Sequence, residues 1–501
     1  MIPTPQTEAL VALEDAAPDV LFETFPGTDL AIWPLLRWPL IRSMAEASSG
    51  GEDAADAGSD ASSGAALPGA KAQKSLRQRA WETSQVVLPN PHSLRKARGR
   101  DLLFLVSGTT LAQTDAGVKN WLVGDFAVAE GGRSAVLQDR GIKRRPSAAE
   151  RPSFEATYSL DREIFLARRD AAAHPLSTSA QASVHAAVRG IYAVLPFDVP
   201  DSAIERTAAW VVTRGQIASH LGKQFAPLVD RMKPKAAIMQ TAAYLNQPSL
   251  ISVLKDRGVR VIEPQHGWIG PSHGAYNFGA AITRPEFARF MPDTLLTFGE
   301  FWSDKVRFPG EKVAIGKPHL EQTAAKAPAP AEREKTVLVV SNRYQEEVTT
   351  RLVTDIRDAL PGEWRVLFRP HPSERALVAQ RYPGLIGEDR ISIDTALDVN
   401  ETLARSRAVF GYFSTVLYEA LAFGCEVFVF DSPMADVCAD KEIFGERVSD
   451  AESVRSAVDV VLGAAPSALQ AAPGLLESIW KPHAVENFRA FVRSGVDGLT
   501  R

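Results

Sequence analysis

Short apolar runs that end abruptly at small or polar residues, each followed by a stretch of helical spacing, recur along most of this chain. Asp101–Val106, Ala236–Gln240, Val259–Glu263, Asp293–Gly299 and Thr336–Val340 are runs of this kind, as are Val366–Arg369, Ala408–Gly411 and Glu426–Asp431. They are continuously apolar rather than alternating, which predicts strands covered on both faces. Residues 150–230 are alanine-rich with helical periodicity and predict several helices packed on a sheet. A further helix is expected over Gln247–Arg257 with Gly258 as its C-cap. Others are expected from Glu300, and from Ser414 to Phe423 with Gly424 as C-cap. Strands alternating with helices imply βαβ units and parallel sheets, so the expected class is α/β with two Rossmann-like lobes.

At 501 residues the chain exceeds what one core usually supports. Residues 1–46 read as an ordered preface anchored by Trp33, Arg37 and Trp38, and residues 47–74, small and acidic without an aromatic, as a flexible linker. A basic helix-like piece, Lys74–Trp81, follows. Residues 75–322 form the expected N-terminal lobe, the Ala/Pro/charged stretch 323–335 a hinge, 336–476 the C-terminal lobe, and 477–501, with Trp480, a closing helix.

Composition excludes more than it identifies. Hydrophobic content of 45% and charge of 23% are ordinary for a globular protein, and a net charge of -4 gives no reason to expect nucleic acid. Two cysteines, Cys425 and Cys438, are too few for a disulfide framework and fit a reducing cytoplasm. The N-terminus lacks the basic start and apolar core of a signal peptide. Leu30–Ile41 is the most apolar stretch, but two prolines and Arg37 break it. It is expected to pack internally, with peripheral membrane contact as the lesser alternative.

Candidate chemistry lies where the runs stop. Proline on both sides of His371 in Arg369-Pro370-His371-Pro372 fixes the direction of the imidazole; with the Arg369 guanidinium beside it, the pair suits a diphosphate. Ser414-Thr415 opens a helix whose N–H groups favour an anion, and Glu419 lies about a turn further on, where a carboxylate suits ribose hydroxyls. The plainer role of Ser414 is that of an N-cap. Asn342 and Arg343 follow the strand Thr336–Val340 and join this phosphate-binding set. In the other lobe, Gln265-His266-Gly267 ends a strand: His266 is a candidate general base, Glu263 the competing base, and His273 an ordinary loop histidine. The loop Ser107-Gly108-Thr109-Thr110 opens that lobe. No phosphate-loop, H-E-x-x-H or C-x-x-C motif is present, and no D-x-D pair to hold a metal on a nucleotide. Charge at a leaving group is therefore expected to be met by Arg369, His371 and helix dipoles, with no metal.

With these residues in place, roughly residues 235–435 resemble bacterial enzymes of surface-polysaccharide assembly with the two-lobed GT-B fold. These are capsule polysaccharide biosynthesis proteins, CDP-glycerol glycerophosphotransferases of teichoic-acid synthesis, and certain sialyl- and Kdo-transferases that use CMP-sugars. The matching motifs are Gln265-His266-Gly267, Arg369-Pro370-His371-Pro372 and Phe413-Ser414-Thr415 leading to Glu419. The resemblance implies two lobes facing a central cleft, donor phosphates near His371 and Ser414, and a glycan or lipid-linked acceptor near Gln265, His266, Gly267 and Gly108. It implies no cofactor beyond a CMP- or CDP-linked donor as substrate; the expected location is cytoplasmic, with peripheral contact at the inner membrane face as the lesser alternative. The loop after His266, W-I-G-P-S-H-G, departs from the threonine-bearing loop of the glycerophosphotransferases. This favours sugar transfer over polyol-phosphate transfer. A non-catalytic carbohydrate-binding scaffold is the reading from another class.

Overall fold

The computed structural model describes residues 4–48, 99–107, 110–114, 117–139, 157–341, 345–463 and 474–498, with three isolated positions between 48 and 99. Most of the acidic stretch 47–74, the basic piece after it, and Gly108, Asn342 and Arg343 lie outside the described residues. The chain divides into two compact units: an N-terminal unit of residues 3–297, 305–313 and 485–501, and a C-terminal unit that includes 298–304 and 314–484.

The preface is part of the N-terminal unit. Helix α1 (Pro5–Ala16) starts with Thr4 as N-cap and Pro5 in the first turn, where a missing N–H costs nothing, and ends at Ala17 in the left-handed region. Helix α2 (Ile32–Ser48) carries the apolar stretch, and Leu30–Leu36 and Leu40 are buried in the interior. No described helix is long and apolar enough to cross a membrane. The alanine-rich region folds as α3 (Asp161–Ala173), α4 (Thr178–Ala193) and α5 (Asp201–Met232). Gly215 in α5 has a packing reason: a Cβ there would stand 2.2 Å from the buried Phe25 ring. That contact offsets the roughly 1 kcal/mol a mid-helix glycine costs.

The strands of this unit are β1 (Leu102–Ser107), the hairpin β2 (Leu111–Thr114) and β3 (Gly117–Asn120), β4 (Ser134–Asp139), β5 (Thr157–Ser159), β6 (Ala236–Met239), β7 (Arg260–Pro264), β8 (Thr294–Thr297) and β9 (Glu311–Ala314). Apart from the hairpin they form one sheet in the order β5-β4-β1-β6-β7-β8-β9, with parallel pairing from β5 through β8. The chain runs outward in one direction from β1 and in the other from β6, so the switch point lies between those two strands. Helix α6 (Pro248–Lys255) joins β6 to β7, and Gly258, φ +69, sits in the left-handed position expected of it.

The C-terminal unit repeats the plan with β10 (Thr336–Val340), β11 (Arg365–Arg369), β12 (Ile391–Ile393), β13 (Ala408–Gly411), β14 (Glu426–Phe430) and β15 (Arg447–Val448). Its order is β12-β11-β10-β13-β14-β15, all parallel, with the switch between β10 and β13. Val337, Val339, Val366, Phe368 and Phe410 bury one face of this sheet against Leu352, Val353 and Ile356 of helix α7 (Glu346–Ala359). The two Rossmann-like sheets expected from the strand pattern are thus both present.

Two boundaries differ from the sequence expectation. Residues 323–335 lie inside the C-terminal unit and are not a hinge between units. Arg333, only 5% exposed, fastens the stretch by donating to the carbonyls of Pro328 and Ser406 (both 3.0 Å) and of Phe423. The closing segment is shared: Leu475–Ile479 belongs to the C-terminal unit, whereas helix α8 (Ala484–Val492) packs Phe488 on Phe104 and Phe126 of the N-terminal unit.

Candidate functional site

In an open parallel sheet, ligands bind beyond the carboxyl ends of strands at the switch point. In the C-terminal unit that point is the end of β10, at Ser341, flanked by the loops after β11 and β13. The His371 turn follows β11. Its backbone is closed reciprocally, the His371 N–H donating to Glu374 Oε2 at 3.0 Å and the Glu374 N–H to the His371 carbonyl at 2.8 Å. Glu374 has no exposed surface; it also accepts from Ser341 Oγ (2.5 Å) and Tyr382 OH (2.8 Å) and pairs with Arg381 at 3.2 Å. One carboxylate therefore ties the histidine turn to the end of β10. The Ser373 N–H donates to His371 Nδ1 at 3.2 Å, so Nδ1 is the acceptor and Nε2 carries the ring proton. That tautomer presents an N–H donor, the form suited to a phosphate oxygen.

On the other flank, Ser414 is the N-cap of the helix Thr415–Ala422, its Oγ accepting from the Val416 N–H at 3.2 Å. His371, Ser414 and Thr415 are all half-buried. The first two do not sit on adjacent strands, because β10 separates β11 from β13. A ligand touching both must bridge about 10 Å across the β10 end, two inter-strand spacings.

Two expected ligand groups are committed within the fold. Arg369 is buried with its guanidinium donating to Asp394 at 2.5 Å, and Asp394 also accepts from Thr402 Oγ1 at 2.8 Å. This is a buried ion pair bracing β11 against the loop after β12, not an open phosphate clamp. Glu419 is likewise buried, accepting from Lys317 Nζ at 2.7 Å, and that ammonium lies 5.4 Å from the centre of the Phe298 ring. Its carboxylate is neutralised inside the C-terminal unit and is not presented to a ribose.

In the N-terminal unit, β7 ends next to β6, which borders the switch point, and His266 follows it half-buried. Tyr276 OH donates to Glu263 Oε1 at 2.5 Å and lies 3.4 Å from His266 Nδ1. The other Glu263 oxygen accepts from the Ala243 N–H. Ala243 belongs to a 3₁₀ turn, Ala242–Tyr244, held between Thr241 (φ +58) and Leu245 (φ +56). Two non-glycine residues in the left-handed region cost of order 1 kcal/mol each or more, and such strain clusters at functional sites. Tyr244 faces His266, ring centres 5.7 Å apart, and its OH lies 3.2 Å from His273 Nε2. His273 is therefore part of the cluster rather than an ordinary loop residue, and Trp38 of the preface stacks beside it at 6.4 Å.

Glu263 itself has no exposed surface, which removes it as a base in contact with a substrate. Burial pushes its carboxyl up to about 7, against the pull of the His266 charge, the Tyr276 hydroxyl and the Ala243 N–H. Stability conferred by the protonated form is fully present below the ordinary 4.5 and is lost as pH rises to about 7. That span corresponds to on the order of 3 kcal/mol. The melting temperature of Glu263→Gln relative to wild type is therefore expected to climb between pH 4.5 and about pH 7; a gap that stays constant with pH contradicts the assignment.

The flanking residues divide. Gln265 is buried and donates its amide to the Gly267 carbonyl at 2.9 Å, bracing the loop instead of facing a ligand. A Cβ on Gly267 would meet nothing within 4 Å, so this glycine is not required for close packing. Gly267→Ala is expected to change unfolding free energy by no more than about 0.5 kcal/mol in denaturant titration. From behind, the loop 270–279 is pinned by the preface. Buried Arg37 donates to the Gly274 carbonyl and to the Asn277 carbonyl (2.7 Å) while paired with Glu14 at 2.7 Å, and Glu14 also accepts from the Gly279 N–H at 2.8 Å.

Tyr276, Tyr244 and Glu374 are the residues that sequence reasoning missed. For Glu374 a signal existed in the H-x-x-E spacing of His371 and Glu374, the same reciprocal bonding that closes a capping box. Among the described residues, no group of three His, Cys, Asp or Glu side chains is arranged to hold a metal ion.

No family model matches the chain, and no curated protein matches it. Among solved structures it is similar to UDP-GlcNAc 2-epimerase from Neisseria meningitidis bound to UDP-GlcNAc, with 9% identity over 79% of this chain and 100% of that one and a TM-score of 0.45. It is similar also to UDP-GlcNAc 2-epimerase from Methanocaldococcus jannaschii (10% identity, 79% and 99% covered, TM-score 0.43). A third is an α,α-trehalose-phosphate synthase (UDP-forming) from Burkholderia vietnamiensis (14% identity, 80% and 99% covered, TM-score 0.42). Identity this low carries no residue of theirs onto this chain.

Proposed function

We propose that this protein is a nucleotide-sugar-utilising enzyme, specifically a metal-independent glycosyltransferase of bacterial surface-polysaccharide synthesis that moves a sugar from a nucleotide-activated donor to a hydroxyl of a glycan or lipid-linked acceptor. The observation that carries this reading is the end of β10. A histidine turn presenting an Nε2–H and a serine-capped helix start stand on either side of the switch point of a parallel sheet. Both groups donate to an anion, and neither needs a metal to do so. In this reading His371, Ser414 and Thr415 hold the donor phosphates through the reaction, and His266 takes the proton of the acceptor hydroxyl. Arg369 acts from behind by stiffening β11, and Glu419 by stiffening the helix that Ser414 caps.

A thermal-shift panel of CMP, CDP, UDP and GDP tests the donor half directly. A nucleotide bound only by the folded state at 100 times its Kd adds about 2.7 kcal/mol and raises the melting temperature accordingly. At least one member of the panel is expected to do so, and His371→Ala is expected to abolish that rise. A panel that leaves the melting temperature unmoved at millimolar nucleotide sinks the reading.

A further inference from the structure

We propose that the C-terminal unit carries a further ligand site, at the carboxyl end of its edge strand β12, and that this site takes an acidic sugar, a hexose bearing a carboxylate or a phosphate. The site does not depend on the donor-phosphate reading. A cavity of about 410 Å³ opens there, within the usual range for small-molecule sites. The residues that line it lie between Leu367 and Arg405, so it belongs to one unit, and β11 stands between β12 and the end of β10.

The charge around this cavity does not balance. The chain leaves β12 through Asp394, whose N–H donates to the Phe368 carbonyl at 2.8 Å and whose Oδ1 accepts from the Ala396 N–H at 3.1 Å, so its carboxylate is buried. Three guanidiniums surround it. Arg369 donates to Oδ2 at 2.5 Å, and Arg405, with its side chain 44% exposed, stands 3.8 Å from Oδ1, too far for a hydrogen bond. Arg375 donates its Nη2 to the Ala396 carbonyl at 3.0 Å. Among the described residues, Asp394 is the only carboxylate within ion-pair distance of any of the three. The other acid of this loop, Asp398, is engaged elsewhere, 2.6 Å from His319 Nε2. Burial and the nearby Arg369 charge hold the Arg375 guanidinium below its ordinary range, and its buried Nε bonds nothing among the described residues. One carboxylate serves three cations, so the loop carries surplus positive charge, and Arg405 presents it to the cavity.

The rest of the lining indicates what carries the matching anion. Ser392 and Thr395 are exposed, and their hydroxyls bond no protein group among the described residues. Glu401, on the helix Val399–Leu403 that Asp398 caps, is also exposed and has no ion-pair partner among the described residues. A bare anion would meet the repulsion of Glu401, and a neutral sugar would leave Arg405 without a counter-charge. An acidic sugar answers both. Its charged group pairs with Arg405, its hydroxyls donate to Glu401 and exchange hydrogen bonds with Ser392 and Thr395, and its C–H face meets Leu367 and Ile393. No aromatic residue is among the described residues of the lining, which disfavours a nucleobase.

Isothermal titration calorimetry of the full chain against glucuronate, glucose-6-phosphate, glucose, acetate and inorganic phosphate tests the site. At least one of the two acidic sugars is expected to bind at millimolar concentration, and which one does identifies the anion as carboxylate or phosphate. Glucose and the two bare anions are expected to bind more weakly by about tenfold or more, the loss that follows when one charge-assisted hydrogen bond is missing. Arg405→Glu is expected to abolish binding and Arg405→Lys to retain part of it; both change an exposed side chain, so the fold is kept. Failure of both acidic sugars to bind, binding that is unchanged in Arg405→Glu, or acetate and phosphate binding as tightly as the sugars, overturns the proposal. His371→Ala is expected to leave sugar binding intact, and Arg405→Glu to leave the nucleotide-dependent rise in melting temperature intact. Sugar binding lost in His371→Ala would place the sugar at the donor site and overturn the proposal, whereas a thermal-shift panel without effect sinks only the donor reading.

Discussion

His266→Ala is expected to lower turnover by about 10²–10⁴-fold, the usual loss when a general base is removed, while the melting-temperature rise from bound nucleotide persists. The two readouts separate because His266 belongs to the N-terminal unit, whereas His371 and Ser414, proposed to hold the donor phosphates, belong to the C-terminal unit. The measurement is release of free nucleotide from whichever donor the thermal-shift panel selects. His266→Gln serves as the shape control: its amide can still donate to the Tyr276 oxygen but cannot accept a proton, so it is expected to be as slow as the alanine variant. Turnover within tenfold of wild type in both variants would remove His266 from the mechanism.

The assignment leans on residues that differ sharply in how readable they are from sequence. Ser414 as an N-cap, Gly258 and Gly424 (φ +69 and +67) as helix ends, and Thr336–Val340 as a strand all depend on interactions within a few residues, so local pattern is enough to find them. The partners of the charged groups are not local. Arg369 finds Asp394 25 positions downstream, Glu14 finds Arg37 23 away and the Gly279 N–H 265 away, and Lys317 finds Glu419 102 away. Each of these looks, in a linear reading, like a free charge available to a ligand. Burial decides otherwise, because a charge removed from water must be paired within the fold. The apparent hinge fails for the same reason. Its composition is that of a linker, but Arg333 has three carbonyl partners, two of them more than 70 residues further on. Tyr276 was invisible for a different reason, since nothing about an isolated tyrosine 13 residues after Glu263 announces that its hydroxyl reaches back to the carboxylate.

Glu374→Ala is expected to destabilise the C-terminal unit by about 3–5 kcal/mol, the range for removing one partner of a buried charge network. For a unit of this size that is roughly 6–20 °C in melting temperature. The loss is large because four donors converge on this carboxylate: the His371 N–H, Ser341 Oγ, Tyr382 OH and the Arg381 guanidinium. Burial, with the adjacent Glu374 charge adding to it, holds the Tyr382 phenol above its ordinary range, so it remains a donor at any working pH. Alanine would take the acceptor from all four at once, leaving the Ser341 and Tyr382 hydroxyls only each other at 3.0 Å, and a buried donor without an acceptor costs about 1–3 kcal/mol. Arg381 keeps one alternative in Glu346 at 2.5 Å, which limits the damage on that side. Glu374→Gln keeps the volume and one acceptor oxygen but presents an amide N–H₂ to the remaining donors, so an intermediate loss is expected. Because the same carboxylate closes the His371 turn, both variants are also expected to lose the nucleotide-dependent rise in melting temperature. Nucleotide binding itself should be lost even at low temperatures where Glu374→Gln is fully folded. A Glu374→Ala protein that melts with wild type, or a folded Glu374→Gln protein that still responds fully to nucleotide, would show that the turn holds its shape, and the phosphate its place, without this carboxylate.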